Sequence, residues 1–227
     1  MKISEIFYSI QGEGVLAGVP SVFIRTSGCN LRCTWCDTPY TSWKPEGEEM
    51  TADAVLAAAR GHRATHVVVT GGEPMLLDDV VPLTQQLEAA GMHITIETAG
   101  TVFQPVACDL MSISPKLANS TPWEREGGRW AAQHDRLRYQ PEVLKQLMTA
   151  YQYQLKFVVS APVDLEEIEK ILAATSADRG RVILMPEGTD AGILRERARW
   201  LVDLCKHNQF RFGPRLHIDL YGNRRGV

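Results

Sequence analysis

The sequence predicts an α/β protein, an open, partial barrel of about six parallel strands covered by helices. Three observations lead there. Short apolar runs alternate along the chain with stretches of helical character. The runs are apolar almost throughout, as strands buried on both faces must be, and such strands belong to parallel sheets. Six runs are also too few to close an eight-stranded barrel.

The strand candidates are SVFIRT (21–26), HVVVT (66–70), HITIET (93–98), LMSIS (110–114), YQLKFVV (153–159) and RVILMP (181–186). All are rich in the β-branched, aromatic and long aliphatic residues that suit a buried pleated surface. Helix candidates lie between them at 51–60, 79–90, 165–174 and 190–207. Thr51 and Asp164 are placed to act as N-caps and Gly91 as a C-cap. The stretch 117–141, LANSTPWEREGGRWAAQHDRLRYQP, has no clean period and reads as a surface excursion or a lid. No repeat, low-complexity tract or linker divides the chain, so residues 1–227 read as one domain.

With 24 basic and 27 acidic residues the net charge is −3, which gives no electrostatic reason to bind nucleic acid or an anionic membrane. No apolar run nears the ~18 residues of a bilayer span, and MKISEIFYSI lacks the apolar core of a signal peptide. A soluble, cytoplasmic protein is expected. In a reducing compartment, three of its five cysteines crowded into eight residues point to metal or redox chemistry, not disulfides.

Those three, Cys29, Cys33 and Cys36, form C-x3-C-x2-C on a loop (28–38) that directly follows the first apolar run. Three thiolates so spaced can each bind a different iron of one cubane cluster, leaving the fourth iron open to a ligand. A structural zinc site is the alternative, although closed zinc sites take four ligands, and Cys108 and Cys205 stand alone. Other unusual residues also follow strand ends, where ligands bind in parallel α/β folds. HVVVT runs into Gly71-Gly72-Glu73-Pro74, HITIET into Ala-Gly, and LMSIS into Pro115-Lys116. Glycines there let the backbone approach a ligand closely, or simply make a turn. Gln154 and Lys156, alternating with Leu155 and Phe157, give one strand a polar face that wants either a ligand or water. Glu97 is a similar case.

GCNLRCTWC, with an aromatic residue before its third cysteine and GGEP after the next strand, resembles the radical S-adenosylmethionine superfamily. In that superfamily the cofactor's methionine chelates the open iron, and one-electron cleavage releases a 5′-deoxyadenosyl radical. More narrowly, EIFYSIQGEGVLAGVPSVFIRTSGCNLRCTWCDT, followed by TGGEP, IET-x-G and SPK, resembles the 7-carboxy-7-deazaguanine synthase (QueE) family of queuosine biosynthesis. The resemblance spans about residues 5–116 and continues faintly through QLKFVV to LHIDLYGNRRGV. Some members end in Q-T-H-K with a short tail, which this chain does not.

The resemblance implies a lyase that contracts the ring of 6-carboxy-5,6,7,8-tetrahydropterin to 7-carboxy-7-deazaguanine, with loss of ammonia. It implies a 4Fe-4S cluster on Cys29, Cys33 and Cys36, and no side chain doing the radical chemistry itself. It places S-adenosylmethionine against Gly72, against Ser114, Pro115 and Lys116, and against Gln154, Leu155, Lys156 and Phe157. Magnesium (Mg2+) falls to Thr38, whose hydroxyl suits a hard cation but which would equally cap a turn. Substrate contacts fall to Ile10, Gln11, Gly12, Arg25, Thr70 and His217. Arg25 offers a planar fork for a carboxylate, or else a structural ion pair; His217 is a substrate contact or a surface histidine. A homodimer and a flavodoxin- or ferredoxin-type electron donor are implied as partners. Two rival readings share parts of the pattern: a glycyl-radical-enzyme activase, and a non-catalytic zinc module.

Overall fold

Strand pairing follows the order of the apolar runs. In the computed structural model, which describes residues 1–227, β1 (Lys2–Ile10), β2 (Pro20–Thr26), β3 (Glu48–Glu49), β4 (His66–Gly71) and β5 (His93–Thr98) form the first half of one sheet. The second half comprises β6 (Leu110–Ile113), β7 (Tyr153–Val159), β8 (Val182–Pro186) and β9 (Arg211–Phe212). The order across the sheet is β3-β1-β2-β4-β5-β6-β7-β8-β9, nine strands that do not close. From β2 to β9 every neighbouring pair is parallel. The six expected runs are the six central strands. The three additional strands are the antiparallel edge pair β1 and β3, and the two-residue β9.

Crossovers between parallel strands carry the helices: α2 (Ala52–Arg60), α3 (Val80–Ala89), α5 (Pro141–Ala150), α6 (Asp164–Thr175) and α7 (Ala191–Asn208). Thr51 caps α2 as expected, its hydroxyl accepting from the Ala54 amide at 3.2 Å. Gly91, at φ +74°, lies one residue beyond the cap residue Ala90 of α3. Asp164 is not an N-cap. It is the first residue of α6, and its carboxylate turns back to accept from the Ser160 and Ala161 amides at 2.7 and 3.0 Å. No helix is long and apolar enough to cross a membrane.

The sheet's two faces differ in chemistry because side chains alternate along a strand. Val22, Ile24, Val67, Val69, Ile94, Ile96, Ile113, Leu155 and Phe157 face the helices and make the main core. The opposite, concave face carries a polar row in register: Arg25 beside Thr70, then Glu97 beside Ser112, then Gln154. That alternation settles the polar face of β7 as inward-looking, not as an edge in water.

The stretch 117–141 does not stand off the surface. It folds into two short 3-10 turns (Ala118–Ser120 and Arg125–Gly128) and α4 (Ala131–Leu137), with Leu117, Ser120, Ala131 and His134 buried. Its polar groups pair with the cysteine loop, a long-range arrangement that leaves no local period to read.

Candidate active site

The loop after β2 carries Cys29, Cys33 and Cys36 into a cavity of about 470 Å³ at the carboxyl ends of the strands. The thiols are crowded by protein: the Leu31 amide donates to Cys29 Sγ at 3.4 Å, and Ser42 Oγ lies 3.2 Å from Cys36 Sγ. Burial, reinforced by the Glu73 carboxylate, pushes the Cys29 thiol up to about 12, and burial pushes Cys33 up as well. Without a metal these groups are neutral thiols; binding one releases their protons. No three His, Cys, Asp or Glu side chains converge on a single-ion site. Three thiols lining one cavity suit a cube, whose corners each take a separate thiolate, whereas a closed zinc site takes four ligands.

Gly72 is required by the close approach of two backbones. A Cβ there would meet Gly28 O at 2.0 Å, and the Glu73 amide donates to that same carbonyl at 2.9 Å. Glu73 itself is buried beneath the cluster loop. It accepts from Thr98 Oγ1 (2.8 Å), the Ala99 amide (2.8 Å) and the Met75 amide (3.1 Å), tying the ends of β4 and β5 together. The glutamate of GGEP is thus a strut.

Facing the thiols is the polar row. Glu97 accepts from Gln11 Nε2 (3.2 Å), Thr70 Oγ1 (3.0 Å) and Lys156 Nζ (3.2 Å). Lys156 also reaches Glu13 at 3.0 Å, and Glu13 accepts from Arg215 Nε at 3.0 Å. Arg215 closes the network on Asp37. Burial alone would raise Glu13 and Asp37; the adjacent cations outweigh it and hold both below the usual carboxylate range. Burial would likewise discharge Lys156, but Glu97 and Glu13 push it well up. This part of the cavity wall is therefore a chain of mutually paired cations and carboxylates.

Arg25 makes the ion pair that sequence reasoning left open, its Nε donating to Glu5 Oε1 at 2.6 Å while the guanidinium lies over the Phe7 ring. That contact uses Nε and leaves the two Nη atoms to the cavity. Thr38 occupies the cap position of α1 (Pro39–Ser42), yet its side chain caps nothing. Its hydroxyl lies 3.9 Å from Cys36 Sγ, on the cavity wall. His217, on α8 (Leu216–Tyr221), is half-buried and lines the cavity beside Gly12, whose carbonyl accepts from the Leu216 amide at 2.9 Å. Ile10, Gln11, Thr70, Gly72, Ser114, Lys116 and Lys156 line it too.

Four expected cofactor contacts are placed otherwise. Leu155 and Phe157 turn into the helix-side core, only 1% and 0% exposed, because their neighbours Gln154 and Lys156 hold the inner face. Gln154 spends its amide on Val15 N and Ser112 Oγ, both at 2.8 Å. Pro115 lies between two lining residues without lining the cavity itself. Sequence reasoning passed over Glu5, Glu13, Asp37 and Arg215. The first three sat inside motifs already singled out, whereas nothing marked Arg215.

An open parallel α/β barrel with C-x3-C-x2-C at its strand ends defines a radical S-adenosylmethionine enzyme, a class that implies a 4Fe-4S cluster and S-adenosylmethionine. Residues 23–116 match the family model described as the Radical SAM superfamily. The chain is 47% identical to the 7-carboxy-7-deazaguanine synthase of Halobacterium salinarum over 98% of its own length and 91% of that protein. It is 45% identical to the enzyme of that name from Rhodopirellula baltica, over 100% of this chain and 89% of the other. The crystal structure of QueE from Escherichia coli superposes with a TM-score of 0.68 at 28% identity, covering 93% of this chain and 92% of that one. The chain belongs to the 7-carboxy-7-deazaguanine synthase family. That membership removes the activase and the zinc module as readings.

Proposed function

We propose that this enzyme converts 6-carboxy-5,6,7,8-tetrahydropterin to 7-carboxy-7-deazaguanine with loss of ammonia, as a cytoplasmic homodimer assisted by Mg2+. Electrons come from a small flavodoxin- or ferredoxin-type carrier. One observation carries the reading: a polar row including Arg25, Thr70 and Glu97 faces the same cavity as the three thiols. When bound, the cluster and S-adenosylmethionine supply a 5′-deoxyadenosyl radical at that face.

The chain's own residues bind and orient. The free Nη pair of Arg25 offers a bidentate fork to the pterin carboxylate. Gln11, Thr70 and Glu97 present donors and acceptors suited to the edge of a flat heterocycle. Because Lys156 and Arg215 already hold their carboxylates in place, little side-chain order remains to be imposed on binding. The Thr38 hydroxyl, on the cavity wall, would offer one hard oxygen to magnesium. Anaerobic incubation with S-adenosylmethionine, a reductant and the carboxytetrahydropterin, read by mass spectrometry, tests the reaction. Colourless protein with one zinc and no cofactor cleavage would overturn it.

Replacing Thr38 by Ala should weaken the magnesium response of turnover far more than the binding of S-adenosylmethionine. A titration of initial rate against magnesium checks this; an unchanged dependence would make Thr38 a turn residue only.

For Arg25→Lys the ammonium can keep the Glu5 contact but loses the fork. The loss of charged hydrogen bonding is about 1.5–3 kcal/mol, or about ten- to hundredfold in kcat/KM. Cluster content, Tm and substrate-free cofactor cleavage should stay near wild type. Lost stability with a normal KM would reduce the Glu5–Arg25 pair to scaffolding.

A further inference from the structure

We infer that His134 is a positioning residue for the cluster loop, holding the backbone on the N-terminal side of Cys33 through the Arg32 amide. This rests on the reading that Cys29, Cys33 and Cys36 carry an iron–sulfur cluster. His134 is 1% exposed, on α4, and its Nδ1 lies 3.0 Å from the Arg32 nitrogen. A backbone N–H only donates, so Nδ1 is the acceptor and the ring proton sits on Nε2. Nε2 faces Ser120 Oγ at 2.9 Å, and that hydroxyl donates onward to Leu117 O at 2.6 Å. Donor and acceptor roles are thereby fixed along the whole relay.

The same segment holds the other side of Cys33. The Thr34 amide donates to Ser120 O at 2.8 Å, and Arg125 Nη1 donates to Thr34 O at 2.8 Å. Both neighbours of Cys33 are thus tethered from residues 117–138, one by an imidazole and one by a carbonyl. Arg32 adds a brace within the loop, donating to Cys29 O at 2.7 Å and Leu31 O at 2.8 Å. Burial, with Arg138 and Lys116 nearby, holds the imidazole down to about 4, so the acceptor role persists at neutral pH. A cube needs three thiolates at a fixed spread, and a tethered Cys33 presents its thiolate already in place.

Three variants separate the acceptor from the space it fills. His134→Asn keeps an acceptor near the Nδ1 position; His134→Gln moves it toward Nε2; His134→Leu removes it. Amide hydrogen exchange over residues 31–35 is measured on the metal-free proteins, and iron release to a chelator on the reconstituted ones. With the Arg32 N–H orphaned, His134→Leu and His134→Gln should exchange and release iron about tenfold faster or more, while His134→Asn stays within about threefold of wild type. Equal behaviour of Asn and Gln, or a His134→Leu protein indistinguishable from wild type, would overturn the inference. Should His134→Leu fail to fold, the Asn and Gln pair still decides. Wild-type protein that takes up no iron and sulfide would sink the cluster reading, while the metal-free exchange data would still judge the His134 contact.

Discussion

The triple variant Cys29→Ala, Cys33→Ala, Cys36→Ala should fold, bind no iron or sulfide, and cleave no S-adenosylmethionine. Cys108→Ala and Cys205→Ala should fold, bind iron and sulfide, and cleave S-adenosylmethionine as the wild type does. The contrast follows from position. The three loop thiols line one cavity, whereas Cys108 Sγ donates to Ile94 O at 3.8 Å and Cys205 is packed in the core from α7. Loss of the loop thiols leaves the sheet and its core untouched, so far-ultraviolet circular dichroism of the metal-free protein should match wild type. Iron and sulfide analysis after anaerobic reconstitution should give about four of each per wild-type chain and background for the triple variant. Full occupancy in the triple variant would move the cluster elsewhere.

The second large effect is one of stability. Lys156 is 4% exposed between Glu13 and Glu97, whose carboxylates lie 3.0 and 3.2 Å from its ammonium. Glu13 has Arg215 as a second cation; Lys156 is the only cation paired with Glu97. Lys156→Met fills the space but strands a charge, at a cost of about 3–5 kcal/mol. Urea unfolding of the metal-free protein should show that loss. Adding Glu97→Gln, which removes the stranded charge while its amide oxygen still accepts from Gln11 and its amide nitrogen can donate to the Thr70 hydroxyl, should return a large share of it. A single-variant loss below about 1 kcal/mol, of the size of an exposed pair, would show the site to be far wetter than its geometry.

What could be read in advance depended on the range of the forces involved. Central strands were legible because burial on both faces writes itself into each run separately. β1 was not, since KISEIFYSI lies toward an edge, pairs antiparallel, and buries only Ile3 and Phe7. The cysteine loop was legible from its spacing together with the motifs around it, since spacing alone left zinc open. Its clamp was not: His134 meets Arg32 across 102 residues, and Arg215 meets Glu13 across 202. Polar contacts at such separations leave no period and no motif. Leu155 and Phe157 belong to a matched stretch that was taken whole, although a strand gives only alternate side chains to one face and theirs lie in the core.

The near-sequential order of the strands also sets a timetable. Each central strand pairs with the next central strand in the chain, so the sheet can extend in the order of synthesis from the N-terminus. The cavity lining is made in the same order: residues from β1, β2 and the cysteine loop first, the ends of β4 to β8 next, and Arg215, His217 and the C-terminal residues last. The cysteine loop is thus synthesised well before the C-terminal segment that completes its cavity.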